Sequence, residues 1–196
     1  ALKQFTQKQR GLEKKDINQY KSLADLENAV EDAEEVHSKR QRKQEIKTEG
    51  ADVVAKGSDG TLLELKTHAA ACYYGKGTRW CTAADADTGI VFDGYSQHGP
   101  LYVFISKDGR KFQFHFQTVQ FMDEKDEPVN LGELQEKYPT LRKVNDIILN
   151  LDDVAFLKYV GGHNIRGYQH PPEIEDRMLS IMSLSKDDFV SVMHYA

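Results

Sequence analysis

A chain of 196 residues with 31 acidic and 26 basic side chains carries a formal charge of −5, which argues against a purely electrostatic nucleic-acid binder. With 39% hydrophobic and 29% charged residues, it can build one domain with a real core, or a domain plus an appendage. No apolar run approaches the roughly 18 residues that span a bilayer, so no membrane partner is expected.

The first 22 residues, rich in Lys and Gln, read as a polar, loosely docked arm with a short turn at KKDINQY. Residues 23–48 give the clearest helix. Ser22 or Asp25 can cap it, and Leu23, Leu26, Val30, Ala33 and Val36 form an apolar stripe at helical spacing. Its acidic residues come early and its basic residues late, as the helix dipole prefers. The late stretch SKRQRKQEIK, 38–47, is a local basic patch whose plainer reading is a solvated helix face. Gly50 ends the helix.

ADVVAKGSDGTLLELKT reads as a hairpin around Gly57–Gly60, and Thr67 as the cap of a short helix, HAAACYY, stopped by Gly75. TRWCTA reads as a strand or extended segment, ADADTG as a turn, and IVFDGYSQHGP as mostly irregular chain punctuated by Gly and Pro. The strongest strand signal is PLYVFISKDGRKFQFHFQ, two alternating runs about Asp108-Gly109. A two-residue turn there sets Ile105 opposite Phe112, Val103 opposite Phe114 and Leu101 opposite Phe116, which makes those six the core face. Tyr102 then stands beside His115 on the other face, with Phe104, Gln113 and Gln117. VQFMDEKDEPV adds a strand and an acidic turn. Short helices follow from 131 in what resembles two irregular copies of one unit. The expected fold is α+β: an N-terminal helix, a central antiparallel sheet and short, repeat-like C-terminal helices. The expected divisions are an arm (1–22), a core domain with the site (23–130) and a helical region (131–196).

Chemistry gathers around ACYYGKGTRWCTAADADTG, 71–89, which holds both cysteines and the sole tryptophan. Two cysteines make no disulfide framework, so reduced thiols in a cytoplasm are expected. Gly75-Lys76-Gly77-Thr78 is no Walker loop, because the segment leaves a helix instead of entering one. Two glycines with Lys76 and Arg79 nonetheless suit an anion-binding turn. His68 and Cys72 share a helix face, and Cys81, His98 or His115 would complete a zinc site, but the spacing matches no zinc signature. No metal and no cofactor are expected, and both cysteines read as structural. The acidic turn lacks the order of an EF-hand.

The sharper candidate is the Tyr102–His115 face, too polar for a second core and too aromatic for plain surface. It would floor a pocket for a planar ring, with Gln113 and Gln117 on the floor. Thr78, Arg79 and Trp80 would make one wall, beside Lys76. Asp93, Tyr95, Ser96 and His98 would make a lid. Such a pocket suits a nucleotide or flipped base and N-glycosidic chemistry, with basic residues on phosphate. In that chemistry, ADP-ribosyl transfer or base excision, Asp93, Asp123 or Glu124 would supply the acid; the other reaction that fits is hydrolysis with His98 or His115 as general base.

The segments KKDINQYKSLADLE, KTHAAACYYGKGTRWCTA, FDGYSQHGPLYVFI and KFQFHFQTVQFMDEKDEPV together resemble a group of largely uncharacterised bacteriophage proteins. In that group a Gly-Thr-basic-Trp-Cys-Thr segment precedes a Tyr-containing loop and an antiparallel hairpin. The resemblance covers roughly residues 14–129. It implies a phage or prophage origin, work in the host cytoplasm and a location for the site, but not a reaction. Two alternatives to an enzyme remain open: a non-catalytic module that sequesters a host protein or a nucleotide signal, and a virion-associated interaction protein.

Overall fold

The computed structural model describes residues 3, 5, 6, 9, 12–84, 89–163 and 171–183. Seven named α-helices and a five-stranded antiparallel sheet give the α+β class. Among the described residues no helix is long and apolar enough to cross a membrane.

Helix α1 spans Leu23–Glu49. Ser22 Oγ accepts from the Asp25 backbone N–H at 3.1 Å, and Asp25 Oδ2 accepts from the Lys21 N–H at 3.0 Å. This reciprocal cap satisfies two amide donors where the helix begins. Leu26 and Val30 bury against Phe5 and Leu12, with Ala33 packed alongside. Leu23 and Val36, expected in the same stripe, are exposed. The chain divides into compact units after Thr48, not after residues 22 and 130. The arm supplies α1 with its apolar partners, and the C-terminal helices share their core with the sheet.

The second unit is built on a meander in which each strand pairs with the next: β1 Ala51–Lys56, β2 Gly60–Leu65, β3 Leu101–Ser106, β4 Lys111–His115 and β5 Gln120–Asp123. The helices are α2 His68–Tyr74 and α3 Ile90–Ser96, then α4 Leu131–Lys137, α5 Val144–Leu149, α6 Asp153–His163 and α7 Pro172–Met182. Two expectations change. TRWCTA is not a strand but leads into a 3-10 turn, Cys81–Ala83, and 90–96 is helical despite its glycine. The turn expected at 84–89 falls mostly outside the described residues, as does much of the second helical copy.

The register of β3 and β4 differs from the two-residue-turn expectation by one. Tyr102 stands opposite Phe114, Val103 opposite Gln113, Phe104 opposite Phe112 and Ile105 opposite Lys111. The connection is a three-residue turn. The Gly109 N–H donates to Ser106 O at 3.1 Å, the Ser106 N–H donates to Arg110 O at 3.0 Å, and Gly109 takes φ +86°. A type I turn closed by a left-handed glycine has this form. Because side chains alternate, one residue of slip moves each of them to the other face.

One face therefore carries Leu62, Tyr102, Phe104, Phe112, Phe114, Phe116 and Phe121, all buried under the C-terminal helices. Arg177 of α7 fastens those helices together. Its guanidinium donates to the carbonyls of Ile148 (3.2 Å), Leu149 (2.7 Å) and Leu151 (2.7 Å) and pairs with Asp153 at 2.9 Å. Asp59, in the β1–β2 turn, accepts from the Thr140 N–H at 3.0 Å and from its hydroxyl. The opposite face carries Leu63, Leu65, Leu101 and Val103, also buried. It adds Lys111, Gln113 and His115 in a row along β4.

Two glycines separate backbone strain from crowding. Gly109→Ala should cost about 1 kcal/mol for the left-handed backbone alone, since nothing lies within 4 Å of its absent Cβ. Gly60→Ala should cost more, because that Cβ would run into the Phe104 ring and stand 2.7 Å from Ile105 O. Urea midpoints of the two variants test the order; equal midpoints would refute it.

Candidate functional site

The stretches 67–84 and 89–99 cross the polar row of the sheet. Thr67 caps α2 by accepting from the Ala70 N–H at 3.2 Å. Gly75 ends that helix, where a Cβ would meet Ala83 and stand 2.7 Å from Ala71 O. The chain then turns through Gly77 at φ +84°. Each alternate residue of β4 holds a piece of this crossing segment. Lys111 Nζ donates to Tyr74 O and to Lys76 O, both at 2.7 Å. Gln113 Oε1 accepts from Thr82 Oγ1 at 2.8 Å. His115 Nε2 lies 3.1 Å from Tyr95 O and 3.2 Å from Gly99 O. From β5, Asp123 O accepts from Trp80 Nε1 at 2.5 Å, and the neighbouring Glu124 O accepts from the Arg79 N–H at 3.0 Å. Thr78 Oγ1 closes the turn on Gly75 O at 2.7 Å.

His115 is buried, and its protonation follows from its partners. Two carbonyls face Nε2, so that nitrogen carries the hydrogen, and Nδ1 accepts from Thr118 Oγ1 at 2.7 Å. Both nitrogens are thus engaged by the protein. Burial pushes the ring below its ordinary basicity, against the pull of the Gly99 and Tyr95 carbonyls. Tyr95 packs edge-on against it with centroids 5.1 Å apart, and Tyr95 Oη donates to Gln120 Oε1 at 2.6 Å. The expected lid is therefore a helix fixed to the sheet. Asp93, Ser96 and His98 project from it exposed.

Tyr102 does not join this group. The register places it on the opposite face, buried edge-on against Phe116 at 5.6 Å and across from Glu64. Burial, then the Glu64 charge, push its phenol up to about 12, so it stays neutral. The side-by-side pairing of Tyr102 and His115 is corrected by the turn at Gly109. Gln113 is buried, Gln117 is half-buried against Gly99, and Trp80 is buried and bonded. Cys81, expected inside, is exposed, and Cys72 Sγ lies 3.3 Å from His68 Nε2. Among the described residues no three His, Cys, Asp or Glu side chains gather as metal ligands.

Four side chains came into the site unforeseen: Lys111, Thr82, Thr118 and Gln120. The signal for them was Ser106-Lys107-Asp108-Gly109, which has the Ser-first, Gly-fourth pattern of a type I turn. Reading it so keeps Tyr102 and Phe104 off the face of Lys111, Gln113 and His115 and sets Val103 opposite Gln113. Besides Asp93, Ser96 and His98, what remains open to solvent is the turn itself. Lys76, Gly77 and Arg79 are exposed, Thr78 is half-buried, and neither cation is paired with a carboxylate among the described residues. Below it, Arg110 Nε stands 2.6 Å from Glu124 Oε1, an ion pair without hydrogen-bond alignment. Comparison with protein-family models, curated proteins and solved structures finds no match.

The His115 arrangement gives stability a pH dependence of definite sign. The folded ring binds its proton less readily than the unfolded one, whose pKa is about 6.5. This contribution is complete above that value and is lost as pH falls below it. His115→Gln should therefore flatten the dependence of the denaturation midpoint on pH between about 7.5 and 5.5. A slope equal to the parent's would refute it.

Proposed function

We propose that this chain is a non-catalytic binding module for a phosphate-bearing ligand of the nucleotide class, taken at the Gly75–Arg79 turn. The observation that carries this reading is a turn clamped from beneath and open above. Its carbonyls are held by Lys111 and Thr78, and its next residues by the β5 backbone. Lys76 and Arg79 flank a left-handed Gly77 with nothing within 4 Å of its absent Cβ. Fixed backbone with free cations costs little to order when an anion arrives.

N-glycosidic cleavage of a nucleotide or base is the less supported reading. It requires Tyr102 and His115 to meet in an open cleft, and these residues are buried on opposite faces. The resemblance to bacteriophage proteins supports a setting in the host cytoplasm, where sequestering a nucleotide signal would oppose a defence response. A host protein bearing phosphate would be read by the same two cations.

Calorimetric titration of the full chain with adenosine diphosphate, inorganic phosphate and adenosine tests the reading. The diphosphate should bind and adenosine should not. Lys76→Glu/Arg79→Glu should weaken binding at least about tenfold, or about 1.4 kcal/mol, with an unchanged circular dichroism spectrum. Asp93→Asn/His98→Ala should bind as the parent does, and no free base should be released. Binding indifferent to Lys76 and Arg79, or base release dependent on Asp93 or His98, would overturn the proposal.

A further inference from the structure

The C-terminal half of α1 has a surface that its sequence alone reads as solvated. Every residue from Glu35 to Glu45 is exposed, three turns in succession. Residues 36–47 hold five cations, Lys39, Arg40, Arg42, Lys43 and Lys47, against the single carboxylate of Glu45. That net charge of +4 leaves −9 for the other 184 residues of a chain whose total is −5. At 100° per residue, Lys39, Arg40, Lys43 and Lys47 fall within about a quarter of the helix circumference, and Glu45 falls opposite. Lys39 pairs with Glu35 at 2.6 Å, and Lys43 and Lys47 follow at four-residue steps. Like charges at that spacing destabilise a helix by a few tenths of a kcal/mol each. Burial contributes little along this exposed half of α1.

We propose that this stripe docks on the phosphate backbone of double-stranded nucleic acid. It runs about 12 Å along the axis, at 1.5 Å per residue, about the width of the major groove, so its four cations reach up to four phosphates shared between the two strands that border it. Other anionic partners fit less well. A membrane-surface helix needs a broad apolar face opposite its charges, but Val36 and Ile46 are the only aliphatic side chains of 36–47. Those two cannot form the apolar seam of a coiled coil either. Single-stranded nucleic acid is held by stacking on aromatic rings, and this stretch has no Phe, Tyr or Trp. Gln44 flanks the stripe as a neutral donor, and Gln41 falls with Glu45 on the far side. The docking is sequence-independent and distinct from ligand capture at the Gly75–Arg79 turn.

Fluorescence anisotropy of a labelled duplex of about 20 base pairs, titrated with the full chain between 50 and 200 mM salt, tests the inference. Four phosphate contacts predict a log–log slope of affinity against salt of about −3.6. Lys39→Gln/Lys43→Gln/Lys47→Gln should bring that slope to about −1. The corresponding Lys→Arg triple variant should keep the parent slope, and both should keep the parent helix content by circular dichroism. Lys76→Glu/Arg79→Glu should bind duplex as the parent does. No duplex binding at 50 mM salt would overturn the proposal, as would a Gln variant with the parent slope. Duplex binding that depends on Lys76 and Arg79 would also overturn it. So would equal or tighter binding to polyglutamate, to a poly-dT strand or to anionic vesicles.

Discussion

At Gly109 the backbone enters the left-handed region, and the three-residue turn it closes sets which half of the protein each β3 and β4 side chain enters. With that turn, the even-numbered residues Tyr102, Phe104, Phe112 and Phe114 face the C-terminal helices and make an almost wholly aromatic surface. The odd-numbered Lys111, Gln113 and His115 face the segment that follows β2. A residue fewer in the turn would bury a lysine and a histidine among phenylalanines. Burial of unpaired polar groups costs several kcal/mol, so the aromatic and polar rows each oppose the alternative register.

The polar row also explains how a long irregular segment is held. Each peg on β4 meets hydrogen-bonding groups of the chain above: carbonyls for Lys111, a hydroxyl for Gln113, two carbonyls for His115. Loss of solvent lowers the basicity of both Lys111 and His115, the expected signature of charges exchanged for fixed partners. Residues that look catalytic by type are thereby committed to architecture, and the groups left for a partner are those of the turn above them.

Local signals were legible in the sequence where they were self-contained. The Thr67 cap, the Gly75 stop, the Gly57–Gly60 turn and the Ser22–Asp25 start of α1 each depend on a few neighbouring residues, and each appears as read. The helix at 90–96 was hidden because Gly94 interrupts it and because Phe92 is its one fully buried side chain, too few for a periodic stripe. Trp80 and Cys81 looked like strand residues, yet Trp80 is fixed by its bond to Asp123 O, distant in sequence, and Cys81 opens a 3-10 turn. That 75–83 meets the hairpin was legible; which side chains meet there was not. Asp108-Gly109 and Ser106-Lys107-Asp108-Gly109 are overlapping turn signals with opposite consequences for every side chain beyond them.

Trp80 is the chain's sole tryptophan, is 3% exposed, and its indole nitrogen is bonded to Asp123 O across the seam between the turn segment and β5. The protein therefore carries one indole reporter beside its nine tyrosines, and its position makes it selective. Its emission reads whether that seam is closed and dry. It lies apart in sequence from both α1 and the C-terminal helices, so a red shift without loss of overall helicity would mark the turn lifting from the sheet while the aromatic core stays intact.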